Sequence, residues 1–130
     1  RHTEGDNMFR VIEPVEIDFV TKTSIEESRK IILEALRSQG GNIKVDSARD
    51  IVAGFGSGLK ARLLGVALAG TNSMPRDVVV KLRETESKTE VKIRVRDTAG
   101  FGSRAGFADK LQRIMYQQAL DIKSQFADVD

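Results

Sequence analysis

The chain has 130 residues, 40% apolar and 31% charged, with 21 Lys and Arg against 19 Asp and Glu for a net charge of +2. That balance reads as a globular chain of one-domain length, and so small a cationic excess selects no class of partner. With no cysteine and one histidine, His2, disulfides, thiolate nucleophiles, cysteine-ligated zinc or iron–sulfur sites and histidine triads are excluded.

Residues 1–7 (Arg-His-Thr-Glu-Gly-Asp-Asn) show no periodicity and are expected to be a disordered leader or vector remnant, with Met8 as the native start. Residues 8–130 are expected to form one α+β domain. Val15, Ile17 and Phe19 alternate with Glu16 and Asp18, which predicts a strand over 14–21 covered on one face. Ser24-Ile25-Glu26-Glu27 then has the form of a capping box and opens a helix over about 25–38. Ile25, Ile32, Leu33 and Leu36 share its apolar face, and Gly40-Gly41 supplies the exit.

From Asn42 to Thr98 the period returns to two. Ile43 and Val45 alternate with Lys44 and Asp46, and Ser47 to Asp50 reads as a turn. Ile51 to Phe55 is a second strand of this run, and Leu59, Ala61 and Leu63 alternate with Lys60 and Arg62 as a third. Val78, Val80 and Leu82 alternate with Lys81 and Arg83. Glu86-Ser87-Lys88 reads as a hairpin tip, beyond which Val91, Ile93 and Val95 alternate with Lys92, Arg94 and Arg96. No helical pattern interrupts the run, so these strands are expected to pair antiparallel. A long helix follows, roughly Arg104 to Ala127, with Phe107, Leu111, Ile114, Met115, Ile122 and Phe126 on one broad face. Burying every apolar parity at once predicts a single antiparallel sheet in the order β-α-β-β-β-β(-β)-α, with two helices on one face and a polar face opposite.

That order resembles the half-repeat of the TATA-binding-protein-like folds and the helix-grip folds. The strings Gly56-Ser57-Gly58-Leu59-Lys60-Ala61-Arg62-Leu63-Leu64-Gly65 and Asp97-Thr98-Ala99-Gly100-Phe101-Gly102, with Leu82 to Arg96 between them, are similar to those of a family of small bacterial α+β proteins of unknown function. The resemblance implies a fold and supplies no catalytic residue.

Three candidate sites emerge. Lys60, Arg62, Lys81, Arg83, Lys92, Arg94 and Arg96 share the parity opposite the apolar residues. Their face is either salt-bridged by Glu16, Asp18, Asp46 and Glu90, or an anion-binding surface for nucleic acid or anionic lipid. Gly54-Phe55-Gly56-Ser57 recurs as Gly100-Phe101-Gly102-Ser103, just before Arg104. Glycine amides at a helix start can cradle an anion, which makes Gly102, Ser103 and Arg104 candidates; the ordinary reading is that glycine relieves crowding where Phe55 and Phe101 turn inward. Leu63, Val80, Phe107, Met115 and Tyr116 are placed to line an apolar pocket under the last helix, or simply to fill the core. Asp97 falls on the inward parity at a strand end, where capping of the glycine turn competes with acid–base chemistry.

The expected function is a non-enzymatic binding or accessory domain for an apolar small ligand, with polyanion binding on the basic face as the alternative. No cofactor and no metal are expected. The longest apolar run, Leu63 to Ala69, is too short for a bilayer, which needs about 20 residues. The expected compartment is the cytoplasm, with homodimerisation through an edge strand as an option.

Overall fold

A computed structural model of the chain describes residues 13–56, 75–98 and 107–127. Among them are strands β1 (Val15–Thr21), β2 (Asn42–Asp46), β3 (Asp50–Phe55), β4 (Arg76–Thr85) and β5 (Lys88–Asp97), with helices α1 (Ile25–Ser38) and α2 (Phe107–Lys123). The five strands form one antiparallel sheet in the order β1-β5-β4-β3-β2. Helix α1 carries the chain from one sheet edge to the other. The meander β2-β3-β4-β5 then walks back until β5 pairs with β1. The expected α+β architecture, with one antiparallel sheet and both helices on one side of it, is thus observed. The predicted strand around Leu59 to Leu63 lies outside the described residues.

Helix α1 starts where the sequence places it. The Ser24 side chain accepts from the Glu27 backbone N–H at 3.1 Å, satisfying one donor that the helix itself leaves unpaired. Glu26 and Glu27 in the first turn and Arg37 in the last suit the two ends of the helix dipole. At the exit Gly40 takes φ +88°, and the Gly41 N–H returns to the Leu36 carbonyl at 2.9 Å, closing the end of the helix. Gly41 is also required by packing: a Cβ there would lie 2.5 Å from the Phe55 ring.

The helix-covered face is dry. Phe19 on β1, Ile51, Ala53 and Phe55 on β3, Val78, Val80 and Leu82 on β4, and Val91, Ile93 and Val95 on β5 are all buried. The pairing register aligns them in rows: Ile17–Ile93–Val80–Ile51 is one and Val15–Val95–Val78–Ala53 the next. Ile32, Ala35 and Leu36 of α1 and Leu111, Met115, Ala119 and Ile122 of α2 close over them. Phe126, just beyond α2, meets Phe19 edge-on with ring centroids 5.2 Å apart. At one end of this layer Thr21, Ser28 and Thr89 are fully buried. Their hydroxyls are satisfied locally: Thr89 donates to the Thr23 carbonyl at 2.7 Å, and Thr23 and Ser28 share a bond of 2.7 Å.

One register differs from expectation. A bulge at Lys44 interrupts β2, so that Ile43 sits opposite Ala53 but Val45 sits opposite Val52. The extra residue shifts the pleat by one. Ile43 keeps the core side, whereas Val45 turns to the open face and Asp46 to the helix side, where it pairs with Arg29 of α1. Asp46 is therefore not one of the carboxylates of the basic face.

A candidate binding surface on the open sheet face

The open face carries Glu16, Asp18 and Val20 of β1, Glu90, Lys92, Arg94 and Arg96 of β5, Asp77, Val79, Lys81 and Arg83 of β4, Asp50, Val52 and Gly54 of β3, and Lys44 and Val45 of β2. Of the basic residues read from the sequence, Lys81, Arg83, Lys92, Arg94 and Arg96 share this face. Lys60, Arg62, Gly102, Ser103 and Arg104 lie outside the described residues, as does Leu63.

Much of the charge is neutralised within the face. Lys81 Nζ lies 3.1 Å from Asp50, Arg83 reaches Glu90 at 3.0 Å, and Asp77 takes Lys44 at 2.9 Å and Arg96 at 3.5 Å. Lys81–Asp50 and Arg83–Glu90 join exposed partners and are worth about 0–1 kcal/mol each, whereas Asp77 is buried, with 11% of its side chain exposed, and takes both Lys44 and Arg96 as partners. Asp50 and Asp77, which anchor three of these contacts, are not expected from the sequence pattern. Asp50 reads as part of a turn, and Asp77 precedes the first apolar residue of its strand. The outward parity of Lys81 and Arg83, extended backwards through Val79, is the signal that places Asp77.

Lys92 and Arg94 stand differently. They face Asp18 and Glu16 across the β1–β5 pairing, yet neither forms an ion pair within 4.0 Å among the described residues. Lys92 is also the direct cross-strand partner of Lys81, a like-charge opposition that costs stability. A concavity of about 510 Å³ opens here, lined by Asp18, Val20, Lys81, Arg83, Glu90 and Lys92 among others.

A second concavity, of about 480 Å³, lies at the opposite end of the sheet between the ends of α1, β3 and β4 and the side of α2. At its base is Arg76, only 6% exposed although charged. Burial lowers its pKa from the ordinary arginine value. Its Nε donates to Gln118 Oε1 at 2.8 Å, and its guanidinium lies 5.4 Å from the centre of the Phe55 ring. Gln118 in turn donates to Gln39 at 3.1 Å, so one polar chain ties β4 to both helices. Arg76 sits directly across from the half-buried Asp97. Sequence reasoning misses Arg76, although it shares the parity of Val78.

Of the residues expected to line an apolar pocket, Val80 and Met115 share the core and Tyr116 does not. Val80 and Met115 are fully buried in the core, whereas Tyr116 is 50% exposed. Neighbours on a helix point about 100° apart, so Met115 and Tyr116 do not share a wall. The side chain of Phe107 lies outside the description. Gly54 and Gly56 of the first glycine string are described, with Gly56 at φ +81°. A Cβ on Gly54 would fall 2.5 Å from the Lys44 stem; this glycine clears the path by which Lys44 crosses to Asp77.

Among the described residues no three His, Cys, Asp or Glu side chains group to hold a metal ion. Among them, too, no helix is long and apolar enough to cross a membrane. No family model matches this sequence, and no curated protein matches it.

Proposed function

We propose that the chain is a non-enzymatic binding domain that takes a polyanion, nucleic acid or anionic lipid, on the open face of its sheet along β5. The observation that carries this reading is the run of outward positions 92, 94 and 96 on one strand, all basic, with Lys81 opposed to Lys92. Alternate residues of a strand are roughly 6.8 Å apart, an interval of the same order as that between successive phosphates along an extended nucleic acid strand. Among the described residues Lys92 and Arg94 form no ion pair that binding would have to break. Phosphate-bearing partners are favoured because contact with Lys and Arg releases counterions. The aromatic side chains Phe19 and Phe55 lie on the helix side, so recognition runs through the backbone charge of the partner and not through base stacking. An apolar ligand beneath α2 draws no support from Val80 and Met115, which other core side chains enclose.

The test is titration of the full chain at low salt against a fluorescent single-stranded oligonucleotide and, separately, against vesicles with and without anionic lipid. Binding should weaken steeply with added salt and be lost in Lys92→Glu/Arg94→Glu. Absence of binding to both probes at low salt, or binding indifferent to that double substitution, overturns the reading.

A further inference from the structure

The basic run on β5 is bordered on one side by acid. On β1, Glu16 stands directly across from Arg94 and Asp18 directly across from Lys92, and all four side chains are exposed. Neighbouring strands lie about 4.8 Å apart, so a row of carboxylates runs close beside the row of cations. Among the described residues neither Glu16 nor Asp18 forms an ion pair. The concavity of about 510 Å³ opens over the same place. Its lining takes in Asp18 and Val20 of β1, Glu90 and Lys92 of β5, and Lys81 and Arg83 of β4, so it follows β5 with β1 and β4 as its sides. Over the face as a whole Glu16, Asp18, Asp50, Asp77 and Glu90 nearly balance the lysines and arginines. Positive charge prevails along one narrow line, Lys92, Arg94 and Arg96, with Lys81 beside it.

We infer that the occupant of this line is one strand of nucleic acid lying along β5, and that Glu16 and Asp18 form a carboxylate rail that turns flat anionic surfaces away. The inference rests on the polyanion reading above and narrows it to one of its two partners. A thread and a plane sample the face differently. A single strand keeps its phosphates within the width of one β-strand, where it meets Lys92, Arg94 and Arg96 in succession and passes beside the carboxylates. An anionic bilayer covers β1 and β4 together with β5, so it meets the nearly balanced charge of the whole face. It also spans the concavity and rests on its sides, which on β1 brings headgroup phosphates onto Glu16 and Asp18, charges of their own sign. Specificity of this kind works by repelling the wrong partner as much as by attracting the right one. The rail weakens the binding of a strand a little and that of a membrane much more.

The test sets two probes against the full chain at low salt: fluorescent single-stranded oligothymidine, and vesicles of phosphatidylserine diluted in phosphatidylcholine. The wild type should bind the oligonucleotide and not the vesicles. The logarithm of its binding constant should fall with the logarithm of salt at a slope of about −2, for about three phosphate contacts at about 0.7 each. Lys92→Ala and Arg94→Ala should each flatten that slope by about 0.7. Glu16→Gln/Asp18→Asn should bind oligothymidine about fivefold tighter and begin to bind the vesicles, with an unchanged circular dichroism spectrum. Vesicles bound by the wild type would leave the polyanion reading standing and overturn the inference, with lipid as the partner. A Glu16→Gln/Asp18→Asn chain that still refuses vesicles, or that binds oligothymidine no better than the wild type, also overturns it. A wild type that binds neither probe overturns the polyanion reading itself, and the inference with it.

Discussion

The two faces of the sheet are built from the same strands, residue by residue in alternation, yet they obey different rules. On the helix-covered face the rows are mostly apolar and closed, and a buried cation departs from them: Arg76, tied to Gln118 and set against Phe55. On the open face charged residues prevail, several of them paired, and an aliphatic row departs from them: Val45, Val52 and Val79. Both departures touch the ends or edges of the strands, where a bulge or a strand terminus relaxes the alternation. Position along a strand, as well as parity, thus decides which residues are free to serve something other than the core.

The largest expected difference between the faces comes from adjacent residues of β5. Ile93→Ala removes a fully buried side chain at the middle of the sheet and should cost about 3 kcal/mol in urea unfolding. Arg94→Ala, one residue later and facing out, should stay within about 0.5 kcal/mol. Equal effects would mean that the two faces are not energetically distinct.

The misfit on the dry face comes next. Arg76→Ala strips Gln118 Oε1 of its buried donor and uncovers the Phe55 ring, and should cost about 2 kcal/mol. Arg76→Met keeps the apolar stem, and a Gln118→Leu partner removes the orphaned acceptor. That double variant should recover most of the loss in a double-mutant cycle, whereas independent, additive effects would show that the polar chain is not a unit.

Two glycines sharpen the same contrast at smaller scale. A methyl at Gly41 meets the packed Phe55 ring at 2.5 Å and the Leu36 carbonyl oxygen at 3.0 Å, and neither can move cheaply. Gly41→Ala should therefore destabilise by about 1–3 kcal/mol. A methyl at Gly54 meets the flexible Lys44 side chain instead. Gly54→Ala should cost under about 1 kcal/mol and displace Lys44 from Asp77, visible as a shift of the Asp77 carboxylate resonance.

Most of this architecture is legible in the alternation of the sequence. The bounds of α1, its serine cap, and the common outward parity of Lys81, Arg83, Lys92, Arg94 and Arg96 follow from local patterns that the tertiary structure leaves intact. What is not legible depends on register. The bulge at Lys44 has no glycine to mark it, so reading Ile43 and Val45 as one parity is the natural extrapolation, and it misplaces Asp46 with them. Arg76 and Asp77 precede the first valine of β4, and a strand read from its hydrophobes begins too late to include them. The ion pairs Lys81–Asp50 and Lys44–Asp77 join different strands, and only the cross-strand pairing shows which carboxylate meets which cation.

The smallest expected effect lies where the two faces meet, at the β4–β5 hairpin. Thr85 pairs with Lys88 across a two-residue tip of Glu86 and Ser87, the tightest loop by which antiparallel strands turn. Glu86 takes φ +48° there, a left-handed conformation that carries a steric penalty for a residue with a side chain and none for glycine. Glu86→Gly relieves that strain but adds freedom to the unfolded chain, and the two terms nearly offset. The balance should favour the variant by about 0.5 kcal/mol, read as a small rise in the urea midpoint at unchanged slope. Because the tip belongs to neither face, the change should leave the anion titration as it is. A shift there would mean that the hairpin sets the register of β4 against β5, and with it the opposition of Lys81 to Lys92.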